Sequence, residues 1–177
     1  MKCLLVGAVM MAAGVVMAQS PIQWNGNTSM AVARAQEQGL PLMFWVTERG
    51  DLLDDDDLRD DQNKAFRDPI VVSIAQERFV PVRVARNSRV LEEAQKFGLP
   101  TTYGLYIALI TPDGKLMEEI DPGQVANPEA LAGRLTAAFR GYRDHLYAEK
   151  LKPVITNKEA AKQDVRAAVQ TVWRLGI

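Results

Sequence analysis

The chain has one cysteine, Cys3, and one histidine, His145. A lone cysteine excludes an internal disulfide, a CxxC redox pair and a site built from several thiolates. No serine, cysteine or second histidine stands three or four residues from His145, so neither a catalytic triad nor a zinc site is evident around it. We read His145 as a surface or helix-packing residue. No glycine-rich phosphate loop, internal repeat, low-complexity tract or interdomain linker is present. Net charge is only −1, which gives no general attraction to nucleic acid.

What is present is globular. Apolar residues make up 47% and charged residues 24% of 177, enough for one domain with its own core. The charge is unevenly placed. Residues 127–177 carry 9 Lys/Arg against 5 Asp/Glu, whereas residues 19–126 carry 11 against 17. Two solvated terminal helices account for this; intramolecular docking, self-association or a charged partner are the alternatives.

The first twenty residues, MKCLLVGAVMMAAGVVMAQS, place Lys2 before an uninterrupted apolar and small-residue run to Ala18. Val16 and Ala18 fit the small-residue pattern of a cleavage site before Gln19. The run is about 16 residues, short of the ~20 a spanning helix needs. This reads as a secretory signal at 1–18, the alternative being an uncleaved anchor. The reading implies a periplasmic or secreted protein with no membrane span after cleavage, no cysteine left, and a partner among envelope proteins rather than nucleic acid. A domain at 19–153 and a helical extension at 154–177 follow.

Along the rest of the chain, Thr28 or Ser29 caps a helix that Gly39 ends. Residues 41–47 (PLMFWVT) form a buried strand. Asp68-Pro69 is a cap followed by proline at the first helical position. Residues 79–85 (FVPVRVA) form a strand whose Pro81 implies a sheet edge. Ser88 opens a helix that Gly98 stops. Strands at 105–110 and 115–120 flank the Pro112-Asp113-Gly114 turn as a hairpin. Asn127-Pro128 opens a long helix to about Leu151, with Leu131, Leu135, Phe139 and Tyr142 on one face. Asn157 opens a last helix that gathers Val165, Val169, Val172 and Trp173. Trp24, Trp45 and Trp173 read as core or rim packing. Helices alternating with strands argue for an α/β three-layer sandwich around a mixed sheet of about four strands, plus an extra C-terminal helix.

Several segments resemble the thioredoxin-like family over roughly residues 22–145. Phe44-Trp45-Val46-Thr47 is similar to the strand that precedes the CxxC motif. Phe66-Arg67-Asp68-Pro69-Ile70-Val71, Glu77-Arg78-Phe79-Val80-Pro81-Val82, Phe97-Gly98-Leu99 and Thr111-Pro112-Asp113-Gly114 resemble segments of secreted members. The resemblance puts Arg49, Gly50, Asp51 and Leu52 on the CxxC positions, so both cysteines are replaced. It puts Leu105, or alternatively Pro100, at the place of the family's cis-proline. In the family the motif cysteine is activated at a helix N-terminus; Arg49 offers no nucleophile and Leu52 nothing to resolve. The expectation is a redox-inactive module that binds another protein through 48–61 and Gly104-Leu105, with no catalytic residue and no cofactor.

The acidic run Asp51, Asp54, Asp55, Asp56, Asp57, Asp60 and Asp61 is the loudest local feature. Clustered carboxylates suit Ca²⁺, but the spacing is not that of an EF-hand loop. Asp54–Asp57 also suit the first turn of a helix that turns Leu58 and Phe66 inward. A capping face, weak Ca²⁺ binding and docking of a basic partner are the three readings. Arg49 and Arg59 either hold an anion or pair with these aspartates. A metal-assisted enzyme using the run, and a structural envelope protein that oligomerises through its last two helices, are the alternative functions.

Overall fold

The structure is a computed structural model, and it describes residues 22–47, 61–85, 89–101, 106–121 and 127–177. The signal at 1–18, the CxxC positions 49–52, Asp54–Asp57, Asp60 and Leu105 lie outside the described residues.

Helix α1 (Thr28–Gln38) leads into β1 (Leu42–Thr47). A 3₁₀ helix (Asp61–Arg67) precedes α2 (Pro69–Arg78), β2 (Val80–Ala85) and α3 (Arg89–Lys96). The hairpin β3 (Tyr106–Ile110) and β4 (Leu116–Ile120) follows, then the long α4 (Pro128–Leu146). A π-helical turn (Tyr147–Leu151), a short α5 (Lys152–Thr156) and α6 (Lys162–Leu175) complete the chain.

The sheet order is β2-β1-β3-β4. Strands β1 and β2 run parallel, with Leu42 opposite Val80, and β3 and β4 are antiparallel additions. This is the mixed α/β sheet of a thioredoxin-like fold, with the extra C-terminal helix in place. β1 is buried along its whole length because both its faces are covered. Met43 and Trp45 pack with α2 and α4 through Val71, Ala75, Leu131 and Leu135. Leu42, Phe44 and Val46 pack on the other face with Ala31, Ala35 and Ala94 of α1 and α3. Arg134 of α4 donates from Nε to Glu118 of β4 at 2.7 Å, tying that helix to the far edge.

Pro81 does sit on an edge strand. Val80 donates to the Pro41 carbonyl at 2.9 Å, so the alternate residue Pro81 turns its nitrogen and carbonyl away from β1. There Asn25 donates to the Pro81 carbonyl from its backbone, at 3.0 Å, and from its side chain, at 2.8 Å. Asn25 also accepts from the Arg83 backbone at 3.0 Å. Above it, Trp24, Trp45 and Phe66 form an aromatic cluster with centroids 4.8–5.3 Å apart. The Arg83 guanidinium lies 5.1 Å from the Trp45 ring centroid.

Four local expectations need correction. The cap of α1 is Asn27, whose side chain accepts from the Met30 backbone at 3.0 Å; Thr28 is inside the helix and buried against α3, its hydroxyl 3.4 Å from the Val90 carbonyl. The long helix stops being α-helical at Leu146. The wider turn comes just before Pro153, whose ring would meet the Glu149 carbonyl in an unbroken helix. Asn157 closes α5 and then accepts from the Glu159 backbone at 3.0 Å; that local turn delays the last helix to Lys162. Finally, α6 buries Ala168 and Leu175 and leaves Trp173 82% exposed, so Trp173 is not packing.

Candidate functional site

The positions that resemble the thioredoxin motif, 49–52, follow Thr47 in sequence and lie outside the described residues. Two clefts among the described residues lie at the end of the sheet where β1 begins. Three helices finish there: α1 at Gly39, α2 at Arg78 and α6 at Gly176. Helix C-termini carry partial negative charge and unsatisfied carbonyls. Arginines answer them. Arg174 donates to the Glu37 carbonyl at 3.1 Å, and Arg143 donates to the Gly176 carbonyl at 2.7 Å and to that of Leu175 at 3.3 Å. These contacts fasten α6 across the base of the domain and divide it into two clefts that share Arg174.

The first cleft, about 460 Å³, lies between α1, the β3–β4 turn, α4 and α6. Among the residues that line it is Asp113. The Thr111 hydroxyl beside it, then Lys150 and Lys115, hold its carboxyl below the ordinary value, outweighing a smaller upward push from burial. Lys150 Nζ stands 3.5 Å and Lys115 Nζ 3.9 Å from Asp113 Oδ2. The π turn is what points Lys150 here. Tyr142 crosses the floor and donates to the Gly39 carbonyl at 2.9 Å. Its burial, reinforced by the Asp113 charge and opposed by Arg174, pushes the phenol up to about 12. His145 lies on the rim and is exposed. No serine or cysteine lines this cleft. Its cations and hydroxyls suit holding an anionic group more than attacking one.

The second cleft, about 440 Å³, is an open groove between α2, α4 and α6. Arg78, Arg140, Arg143 and Arg174 line it with a single carboxylate, Glu77, which accepts from the Ser73 hydroxyl at 2.9 Å. Arg78 donates to Thr136 at 3.5 Å. The guanidiniums of Arg78 and Arg143 each lie 5.8 Å from the Phe139 ring centroid. Arg143 Nε is buried with no partner. Trp173 projects from the wall.

Of the residues singled out from sequence, Asp61 opens the 3₁₀ helix and Phe66 turns inward as expected. The bond preceding Pro100 is trans. Among the described residues, no three His, Cys, Asp or Glu side chains come together as a metal site, and no helix is long and apolar enough to cross a membrane. Sequence reasoning did not find Asp113, Tyr142 or the arginine groove. The available signals were the basic excess after residue 127 and the spacing of Arg140 and Arg143 on one helical face.

No family model and no curated protein matches the chain. Among solved structures, the crystal structure of a disulphide isomerase from Xylella fastidiosa Temecula1 is similar, at 17% identity and a TM-score of 0.41, over 66% of this chain and 86% of that one.

Proposed function

We propose that this chain is an exported, redox-inactive thioredoxin-like module that works by binding another envelope protein. The observation that carries the reading is a thioredoxin-like sheet in a chain whose one cysteine is Cys3, inside the apolar leader. A dithiol–disulfide cycle needs two thiols, and the positions that resemble the motif hold Arg49 and Leu52. The clefts at the base of the domain supply concave surface with fixed charges, which binding requires and thiol chemistry does not.

Two measurements test it. Cell fractionation should find the protein outside the cytoplasm, with an N-terminus at Gln19. Purified mature protein should leave insulin disulfides intact with dithiothreitol at the uncatalysed rate, while tagged mature protein retains a partner from envelope extract. Catalysed insulin reduction, or a cytoplasmic location with the leader intact, refutes the reading.

A further inference from the structure

The groove at α2, α4 and α6 holds more charge than the fold consumes. Two helix C-termini, those of α2 and α6, meet there, each equivalent to roughly half a negative charge. Four guanidiniums face them, and none forms an ion pair with a carboxylate among the described residues. Arg143 and Arg174 are partly used in capping carbonyls, and Arg78 reaches only a hydroxyl. Arg140 is exposed on the solvent side of α4. Beside them Trp173 is 82% exposed, its indole left largely uncovered by the described residues. Large exposed aromatics set among arginines are the composition of binding hot spots.

We propose that this groove docks a short acidic segment of a partner protein, two or more Asp/Glu side chains flanking an apolar or aromatic residue. The proposal rests on the binding-module reading and names the partner's chemistry. Guanidinium forks donate pairs of parallel hydrogen bonds to carboxylates. The Trp173 face offers a stacking surface for the residue between them. A long polyanion fits less well: the four arginines are confined to one groove of about 440 Å³, room for a few residues and not for the extended run of cations that successive phosphates need.

The probe is a fluorescein-labelled peptide, EEDFEEL, titrated with mature protein and followed by anisotropy, beside the basic counterpart KKRFKKL. A single-stranded oligonucleotide and phosphatidylglycerol vesicles are tested alongside. We expect saturable one-to-one binding of the acidic peptide only, weakened several-fold by raised salt. Arg140→Glu places like charge against the ligand and should weaken binding by roughly tenfold or more. Trp173→Ala should weaken it comparably. Both side chains are exposed, so both variants should melt within a few degrees of the parent. No binding of the acidic peptide, equal binding by both variants, or preference for oligonucleotide or vesicles overturns the proposal. So does a salt-sensitive dimer in light scattering that Arg140→Glu abolishes, which would make a second copy the occupant. An envelope partner retained equally by parent and both variants removes the groove proposal while leaving the module reading intact. Catalysed insulin reduction removes the module reading itself.

Discussion

Replacing glycine by alanine should have opposite signs at two places in this molecule. Gly98 ends α3 with φ +116°, and a Cβ built there would lie 2.2 Å from the carbonyl oxygen of Gly114 in the β3–β4 turn. Gly114 in turn has φ +86°, and its Cβ would fall 2.6 Å from the Phe97 carbonyl oxygen. The end of the helix and the hairpin turn thus touch backbone to backbone, with no room for a methyl on either side. A side chain held at positive φ costs about 1–2 kcal/mol. Ordinary C···O contacts are about 3.3 Å or more, so the backbones must also part by about 1 Å, which brings Gly98→Ala to about 3 kcal/mol. At roughly 2–4 °C per kcal/mol, the midpoint of thermal unfolding should fall by about 6–12 °C. Gly133 and Gly141 lie inside α4, where an added Cβ meets nothing within 4 Å. Alanine there should stabilise by about 0.5–1 kcal/mol each, because it removes backbone freedom from the unfolded chain and propagates the helix better. Urea unfolding followed by circular dichroism measures all three, with an unchanged m-value expected. If Gly98→Ala stays within about 0.5 kcal/mol of the parent, or Gly141→Ala destabilises, the packing described for that contact is wrong.

Three further outcomes are expected. The Tyr142 phenol is held neutral up to about 12 against an ordinary 10.0; the stability this gives is intact below pH 10 and lost as pH rises towards 12. Urea midpoints across that range should fall more steeply for the parent than for Tyr142→Phe. The stability Asp113 contributes runs the other way, present above its ordinary value and lost as pH falls through the lowered one. Thr111→Val should raise the Asp113 pKa, read by carboxyl ¹³C NMR; an unmoved resonance would assign the shift to the lysines instead. Phe66→Ala should cost about 3–5 kcal/mol and collapse the tryptophan bands in near-ultraviolet circular dichroism, since the ring is buried between Trp24 and Trp45; a small loss with intact bands would place the aromatic cluster elsewhere.

The element order was legible because it is written in local signals. Asp68-Pro69 is a cap, and its carboxylate accepts from the Ile70 and Val71 backbone in the structure. PLMFWVT is apolar throughout because β1 has a core on each face. Pro81 announces an edge since its nitrogen has no hydrogen to give a neighbouring strand. Boundaries failed where two signals competed. Asn27, Thr28 and Ser29 all suit a cap, and burial against α3 decided for Asn27. Asn157 suits a helix start and a local turn equally, and the turn won. The basal clefts were illegible for a different reason. Gly39, Asp113, Tyr142 and Arg174 are dozens of residues apart, and nothing in the neighbourhood of any one refers to the others. Trp173 was misread because its spacing with Val165, Val169 and Val172 mimics an inward face, while α6 docks instead through Ala168 and Leu175.

The strap formed by Asn25 has a bearing on how these molecules behave when crowded. A sheet edge is a template for strand addition by a second chain, and in refolding mixtures that is a route to aggregates. At β2 the template is spoiled: Pro81 has no proton to offer, and its carbonyl is already occupied by Asn25. A visiting strand must displace that segment first. The opposite border, β4, carries Leu116 half exposed beside Glu118 and Glu119. An intermolecular strand that approaches from the β2 side therefore meets an occupied edge, and the Asn25 segment has to leave before any exchange there begins.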